Sequence, residues 1–241
     1  MTRATSDARL FDIMYTCRAM RRLRPDPVPD DVLLQLVDAA LQGPSGSNAQ
    51  NWAFIIVKDP AQKRAVQAIW RKTWTFYTST FSHAEARPGE DVAQRARMTA
   101  AGTHMVEHLD TAPAIVFVGV KKDEAFAKVL QSPSTVISAF RTFGALGTAK
   151  LVANGGRAGA IADSGTAFPA VQNLLLAARA LGLGAVLATP QLFVPGEFEA
   201  LLGVPRTWTL HAVIPVGYPS GKFGPVKRPP PEAVVHWDRY R

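Results

Sequence analysis

The segment RAMRRLRPDPVPDDVLLQLVDAALQGPSGSNAQNW, residues 18–52, joins three different kinds of local sequence. A cluster of arginines is followed by the helix breaker RPDPVPDD and then by apolar residues that recur at helical spacing. Gly43 and Pro44 end that helical pattern. We therefore predict a helix that begins at Asp30, a loop of small polar residues, and an apolar strand from Trp52.

The loop GPSGSNAQNW, residues 43–52, is rich in glycine, serine and asparagine. These residues leave the backbone exposed and allow another group to approach closely. Such a loop suits a flat or anionic ligand, but an ordinary turn has the same composition. Composition alone leaves both interpretations open.

The arginine cluster contains Arg18, Arg21, Arg22 and Arg24. The planar guanidinium fork matches phosphate oxygens, and on a helix the first three would share one face. The sequence contains neither of the usual glycine-rich phosphate loops, so side chains would have to hold any phosphate. A solvated basic helix end is the alternative interpretation.

Outward from this segment, predicted helices and strands alternate in an α+β or α/β pattern. Ser6 is a candidate cap for a helix whose apolar positions Leu10, Ile13, Met14 and Cys17 follow helical spacing, and RPDPVPDD breaks that helix. The segment at 121–162 shows no clear periodicity, and its NGGRAGA, residues 154–160, indicates a loop or mobile segment. The remaining predictions are strands at 52–59, 112–120, 185–189 and 208–218, helices from Pro60 and over Thr166–Leu181, and an edge strand at AVVHW, residues 233–237.

Composition limits the classes of protein to consider. The 241 residues, 47% of them hydrophobic, are enough for one sizeable core. Cys17 is the single cysteine, which excludes an intrachain disulfide and favours a reducing cytoplasm, and the opening MTRATSDARL has no apolar stretch typical of a secretory signal. The apolar stretch from Phe168 to Val194 is interrupted by polar residues and glycines, which favours a buried helix and strand over a membrane span.

The net charge of +8 allows three interpretations. It is compatible with a nucleic-acid-binding module, with an ordinary soluble surface, or with a positive field that attracts phosphorylated small molecules. Apart from the arginine cluster, the basic residues are spread along the chain, and we predict no nucleic-acid partner.

Two short motifs raise other enzyme classes. HMVEH, residues 104–108, matches the H-x-x-E-H zinc peptidase pattern, which needs a third ligand for which Glu197 or Glu199 is a candidate. A solvated helix carries such residues by chance as well. GPSGS, residues 43–47, nearly matches the nucleophile elbow of hydrolases, but that elbow connects a strand to a helix and this loop has the opposite order.

Three separated segments together resemble the FMN-dependent nitroreductase family. Residues 18–52 are similar to the family's basic motif, helix and P-S-x-x-N-x-Q-x-W loop. AVQNLLLAARALGLGAV, residues 170–186, is similar to its long helix before the flavin-facing strand, and GYPSGKFGPVKRPPPEAVVHW, residues 217–237, is similar to its C-terminal arm. The segments occur in the expected order, whereas residues 60–165 match poorly.

This resemblance implies one α+β domain over residues 1–241, with a three-layer fold in which helices flank a central, mostly antiparallel sheet. It also implies an intertwined homodimer with FMN at the interface, a variable segment at 122–162 that covers the active site, and an extended arm at 219–241. Many relatives have serine where this chain has Ala19. The implied FMN-binding residues are Arg18, Ala19, Arg21 and Arg22 in the basic motif, Pro44, Ser45, Gly46, Asn48 and Gln50 from the other subunit, Leu187, Ala188 and Thr189 near flavin N5, and Arg228 at the phosphate.

The resemblance further implies a cytoplasmic, membrane-free enzyme in which NADH or NADPH reduces FMN, and a nitroaromatic or quinone-like acceptor then takes the electrons in a ping-pong reaction. The flavin carries the chemistry, so no catalytic side chain and no metal are expected. Flavin fragmentation and dehalogenation are alternative reactions within the family. A zinc peptidase and a basic nucleic-acid-binding module are the alternatives outside it.

Overall fold

A computed structural model of the protein describes residues 9–81, 84–85, 90–122 and 132–240. The strands are β1 (Trp52–Val57), β2 (Ala114–Lys121), β3 (Gly184–Ala185) and β4 (Trp208–Gly217). Short 3₁₀ helices occur at Gly46–Asn48, Leu109–Thr111, Pro190–Phe193 and Pro231–Ala233. The α-helices are α1 (Leu10–Thr16), α2 (Asp30–Ala40), α3 (Pro60–Phe81), α4 (Val92–Glu107), α5 (Pro133–Ala180) and α6 (Glu197–Leu202).

The four strands form one antiparallel sheet in the order β1-β2-β4-β3. Trp52 of β1 pairs with Val120, and Ala114 of β2 pairs with Val216. A bulge at Val118/Gly119 of the β2–β4 ladder leaves His211 as an extra residue in β4. The antiparallel sheet confirms the predicted α+β class.

Helices cover both faces of this sheet. On one face, Leu36 of α2 and Leu174 of α5 pack against Ile214 in β4, and all three are fully buried. On the other face, Val66 of α3 and residues of α4 and α6 pack against Phe117 in β2. Burial on both faces explains why the sequence of β2 is almost continuously apolar. The predicted three-layer arrangement is confirmed.

Several local predictions are confirmed with small corrections. Helix α2 begins at Asp30, where two aspartates in the first turn complement the helix dipole. Helix α1 ends at Thr16, and the predicted cap Ser6 lies outside the described residues. Strand β1 occurs as predicted, but it is only half-buried because it forms the edge of the sheet. The predicted strand at 185–189 is reduced to β3 and one bridge between Ala188 and Val213.

The prediction of a loop at residues 154–160 is wrong, because these residues lie inside α5. Arg157, Ala158 and Ala160 beside these glycines have high helix propensity, which offsets part of the cost of glycine in a helix. Gly144, with φ of 68°, breaks the helical geometry in the first part of α5. Residues 123–131 of the predicted covering segment lie outside the described part of the chain.

Helix α5 is also unusually exposed. Phe143, Leu146 and Val152 are 60%, 71% and 66% exposed. Within the described residues, α5 is the one helix long and apolar enough to cross a membrane by length and composition alone, a test that core helices of soluble proteins also pass. The part of α5 from Thr166 onward contributes to the core, so the exposed surface lies mainly before Thr166.

The edge strand predicted at residues 233–237 is not present within this chain. Pro231–Ala233 forms a 3₁₀ turn instead, and Val234 and Trp237 are 61% and 82% exposed. Three consecutive prolines remove the N–H groups that a strand ladder would need just before this segment. Pairing with a partner subunit's sheet stays a prediction.

Candidate functional site

The basic segment, residues 17–24, is extended rather than helical. The N–H of Met20 donates to the carbonyl of Ala185 at 3.1 Å, which attaches the segment to β3. Gly184 permits this close approach, because a Cβ there would lie 2.9 Å from the Cβ of Met20. The shared helical face of Arg18, Arg21 and Arg22 is therefore a wrong prediction, since strand-like pairing replaces the helix after Thr16.

The C-terminal arm lies along the other side of this segment. The N–H of Arg24 donates to the carbonyl of Tyr218 at 2.8 Å, and the N–H of Ser220 donates to the carbonyl of Arg22 at 3.0 Å. Farther along, the N–H of Val226 donates to the carbonyl of Tyr15 at 2.9 Å. The basic segment is thus held between β3 and the arm, and residues far apart in sequence meet there.

A cavity of about 400 Å³ opens between the basic segment, α5, the residues after β3 and the arm. This volume is within the range of about 300–1,000 Å³ that is typical of small-molecule sites. Of the predicted flavin-binding residues, the cavity wall contains Arg18, Ala19, Arg21, Leu187 and Arg228. The wall does not include Arg22, Ala188, Thr189 or the predicted residues of the 43–52 loop.

Four arginines, Arg18, Arg21, Arg179 and Arg228, give this cavity a strong positive charge. Among the described residues, no carboxylate forms an ion pair with Arg18, Arg21 or Arg228. Arg21 is half-buried, and burial together with the nearby charge of Arg18 lowers the pKa of its guanidinium. Uncompensated guanidinium groups are the donors that a phosphate binds best. The donor set therefore fits the phosphate of FMN.

The cavity also contains residues that the sequence reasoning missed, chiefly Gln172, Leu175 and Arg179 on α5 and Phe223 on the arm. The guanidinium carbon of Arg179 lies 4.1 Å from the ring centre of Phe223. Its Nε donates to Thr16 Oγ1 at 2.9 Å, which ties α5 to α1. Gln172, Leu175 and Arg179 are three and four positions apart, so they lie on one side of the predicted helix. This spacing was the sequence signal for the side of α5 that lines the cavity.

Cys17 is a further cavity residue that the prediction did not assign to the site. Its Sγ donates to the carbonyl of Leu175 at 3.6 Å. Burial raises the pKa of the thiol, and the charge of Arg179 opposes this effect. Cys17 is therefore a weakly reactive thiol at the wall of the cavity.

The loop at residues 43–52 adopts a constrained conformation. Ser47, Asn48 and Gln50 have φ angles of 52°, 55° and 49°, in the left-handed region that side chains other than asparagine rarely adopt. Strained backbone of this kind is concentrated at ligand-binding and switch segments. Among the described residues other than its chain neighbours, no atom lies within 4 Å of a Cβ added to Gly46. The loop thus presents an open surface.

Helix α5 holds this loop in place. The N–H of Gly46 donates to Thr166 Oγ1 at 3.3 Å, and Trp52 Nε1 donates to the carbonyl of Thr166 at 3.0 Å. Gly43 allows close contact with α5, since a Cβ there would lie 3.0 Å from the backbone nitrogen of Ala170. Because Pro44, Ser45, Gly46, Asn48 and Gln50 are absent from the cavity wall, their contact with a flavin in another subunit stays a prediction.

The residues after β3 differ in the availability of their backbone amides. The N–H of Ala188 donates to the carbonyl of Val213 at 3.0 Å, so this amide has a partner already. Among the described residues, neither Leu187 nor Thr189 donates its backbone N–H to another backbone group. Of the three predicted residues near flavin N5, Leu187 and Thr189 therefore have amides available to a ligand.

The HMVEH motif lies at the end of α4. The rings of His104 and His108 stack with their centres 4.2 Å apart. Glu197, one of the two candidate third ligands, pairs with Lys72 at 3.0 Å. Within the described part of the chain, no group of three or more histidine, cysteine, aspartate or glutamate side chains is arranged to hold a metal ion. The geometry gives the zinc peptidase alternative no support.

Comparison with known proteins gives one family. The model of the nitroreductase family matches residues 16–218. A protein named NADH dehydrogenase from Thermus thermophilus is 32% identical over 223 residues, which are 91% of each chain. An iodotyrosine deiodinase from Thermotoga neapolitana is 25% identical over 96% of this chain and 98% of that protein.

A solved structure shares the fold along nearly the whole chain. The crystal structure of oxidized iodotyrosine deiodinase bound to FMN and 3-iodo-L-tyrosine superimposes with a TM-score of 0.66 at 25% identity. The alignment covers 96% of this chain and 100% of that chain.

Proposed function

The chain belongs to the nitroreductase family, and on that premise we propose that it is an FMN-dependent oxidoreductase that uses NADH or NADPH to reduce nitroaromatic or quinone-like acceptors. One observation carries the proposal. Three separate stretches of chain bring Arg18, Arg21, Leu187 and Arg228 to one positively charged cavity of ligand size. A phosphorylated flavin is the ligand that this combination of charged and apolar wall fits.

In this proposal the chain binds and orients the cofactor. Arg18, Arg21 and Arg228 hold the phosphate, and Ala19 contributes backbone only, since it lacks the serine hydroxyl of many relatives. The apolar side chain of Leu187 packs against the ring system, and the backbone amides of Leu187 and Thr189 donate to it. Bound FMN supplies the transfer of two electrons between nicotinamide and acceptor.

We propose further that the active form is a homodimer in which the 43–52 loop completes the partner's site. The left-handed residues of the loop and the open space over Gly46 support this arrangement. Phe11 on α1 and Leu146 on α5 are 63% and 71% exposed, which is typical of a surface that another chain covers. Sedimentation velocity tests the proposal, and a stable FMN-loaded monomer would contradict it.

The activity is tested on the purified protein. We expect flavin absorption bands and saturable binding of FMN to apoprotein. Initial rates with NADH or NADPH against menadione and against a nitrofuran should give parallel double-reciprocal lines, because one site serves two substrates in turn. Dehalogenation of 3-iodo-L-tyrosine is assayed in parallel, since one relative is an iodotyrosine deiodinase. A protein that binds FMN but turns over only the iodotyrosine would refute the proposed acceptor class.

A further inference from the structure

Residues 220–230 of the C-terminal arm reach the cavity without forming a helix or strand. The backbone of this stretch is bonded to the basic segment through the N–H of Ser220 and to α1 through the N–H of Val226, which donates to the carbonyl of Tyr15. Within the described residues, no backbone hydrogen bond joins the arm after Val226 to the rest of the chain. The position of Arg228, the predicted phosphate ligand on the arm, therefore depends on contacts made before it.

One side-chain contact lies between these two backbone bonds. The guanidinium carbon of Arg179, in the last turn of α5, is 4.1 Å from the ring centre of Phe223 on the arm. This is the geometry of a cation–π contact, in which the positive charge lies over the face of an aromatic ring. Both residues line the cavity and both are partly buried, so water competes less for the guanidinium than it does at a fully exposed site.

A second contact fixes the orientation of Arg179. Its Nε donates to Thr16 Oγ1 at 2.9 Å, and Thr16 Oγ1 in turn donates to the carbonyl of Asp12 at 2.5 Å. Among the described residues, no carboxylate forms an ion pair with Arg179 that would draw the guanidinium elsewhere. Helix α1 therefore holds the guanidinium of Arg179 with its flat face towards the ring of Phe223.

The residue after Phe223 lies against another predicted phosphate ligand. A Cβ added to Gly224 would be 3.5 Å from Nη1 of Arg18, so the backbone of the arm packs beside that guanidinium. Phe223, Val226 and Arg228 are the arm residues that line the same cavity. Movement of the arm away from α5 would therefore remove all three from the cavity wall at once and would leave Arg18 more exposed.

We propose that Arg179 is a positioning residue for the cofactor, which with Phe223 forms a latch that holds the C-terminal arm closed over the cavity. The identity of the ligand in this inference rests on the proposed function. A cation–π contact of this kind corresponds to about 2- to 30-fold in an equilibrium constant, so the latch keeps the open arm a minor state. Because a bound phosphate leaves the cavity through that open state, the latch slows its release.

The latch is tested first on full-length apoprotein, where the flavin has no influence. Lys222 is exposed and precedes Phe223, so trypsin cleaves between them when the arm opens, at a rate that follows the population of the open arm. In Arg179→Met and in Phe223→Leu we expect this rate to rise about 2- to 30-fold, as measured by mass spectrometry of the fragment that begins at residue 223. Phe223→Trp should retain most of the protection, since it keeps an aromatic face for the guanidinium.

The rate of FMN release is the second measurement, followed by flavin fluorescence after rapid dilution of the loaded protein. It should rise in each latch variant by about the same factor as the cleavage rate. The double variant of Arg179→Met and Phe223→Leu should release FMN no faster than the faster single variant, because either change removes the whole contact. Arg24→Met is the matched control, since Arg24 lies over the ring of Tyr218 near the start of the arm but does not line the cavity. It should leave both rates nearly unchanged.

The possible outcomes separate this inference from the proposed function. Unchanged cleavage in both latch variants would overturn the latch, and faster cleavage with unchanged FMN release would overturn its role in holding the cofactor. Faster release in Arg179→Met but not in Phe223→Leu would indicate that Arg179 contacts the ligand directly, which also overturns the inference. Wild-type protein that binds no FMN would overturn the proposed function and the cofactor role with it, and the cleavage rates would still decide whether the latch exists. Faster cleavage and faster release in both variants, without additivity, support the inference.

Discussion

Replacement of Arg21 by methionine should weaken FMN binding and at the same time stabilise the apoprotein. Arg21 lines the cavity, is half-buried, and is repelled by Arg18. The lowered pKa of its guanidinium means that the folded state binds this proton less tightly than the unfolded state does. Since the group is charged at every ordinary pH, its charge opposes folding throughout that range. Methionine keeps most of the side-chain volume and removes the charge.

The size of the effect on binding follows from burial. A hydrogen bond to a charged group contributes about 1.5–3 kcal/mol, and 1.4 kcal/mol corresponds to about a tenfold change in affinity. Because Arg21 is half-buried, the contact with phosphate that we propose for it would be screened less than a surface contact. We therefore expect the upper part of the range, a loss of roughly 30- to 150-fold in FMN affinity.

The assay is a fluorescence titration of apoprotein with FMN, accompanied by thermal unfolding of the apoprotein. Arg22→Met is the matched control, because Arg22 is adjacent in sequence and exposed but does not line the cavity. It should bind FMN within about threefold of wild type, a difference below the roughly 1 kcal/mol of a single hydrogen bond. Equal losses in the two variants, or an unchanged dissociation constant in Arg21→Met, would refute the assignment of the phosphate site.

Four further outcomes are expected. Arg228→Ala should weaken FMN binding about tenfold, less than Arg21→Met does, because Arg228 is exposed. Arg228→Lys should recover part of the lost FMN affinity, since lysine keeps the charge, and calorimetric titration measures both variants. Gly46→Val should leave the melting temperature of apoprotein within a few degrees, since no described atom beyond the chain neighbours lies near a Cβ there, but it should reduce flavin loading. Equal loading would contradict the predicted role of the loop in a partner's site. FMN should slow alkylation of Cys17 at the cavity wall, as followed by mass spectrometry, and an unchanged rate would place the flavin elsewhere. Burial, His108 and Arg22 lower the pKa of His104 in the folded protein. The unfolded state therefore binds a proton at this histidine more tightly than the folded state, and stability falls as pH drops below about 6.5. Between pH 7 and pH 5, the denaturation midpoint of His104→Gln should fall less than that of the wild type.

Much of the fold could be predicted from residue patterns alone. The helical spacing after Asp30 and the apolar runs of β1, β2 and β4 depend on short-range periodicity, which the sequence carries directly. The arginines were identified as candidate phosphate ligands because the chemistry of the guanidinium group does not depend on context, and this role stays a prediction. Two local predictions were wrong. The glycines at residues 154–160 predicted a loop, but these residues are helical. The apolar residues 233–237 predicted an edge strand, but a 3₁₀ turn follows the prolines there.

The sequence by itself determined the family, the antiparallel α+β architecture and most of the charged wall of the site, because these depend on residue types in a fixed order. Only the tertiary structure decided that the basic segment is extended between β3 and the arm, and that Arg179 and Phe223 join the same cavity. It alone brought His211 to the face of the sheet next to Phe168. The physical reason is that strand register and helix packing join residues that are far apart in sequence, and no local pattern encodes that pairing.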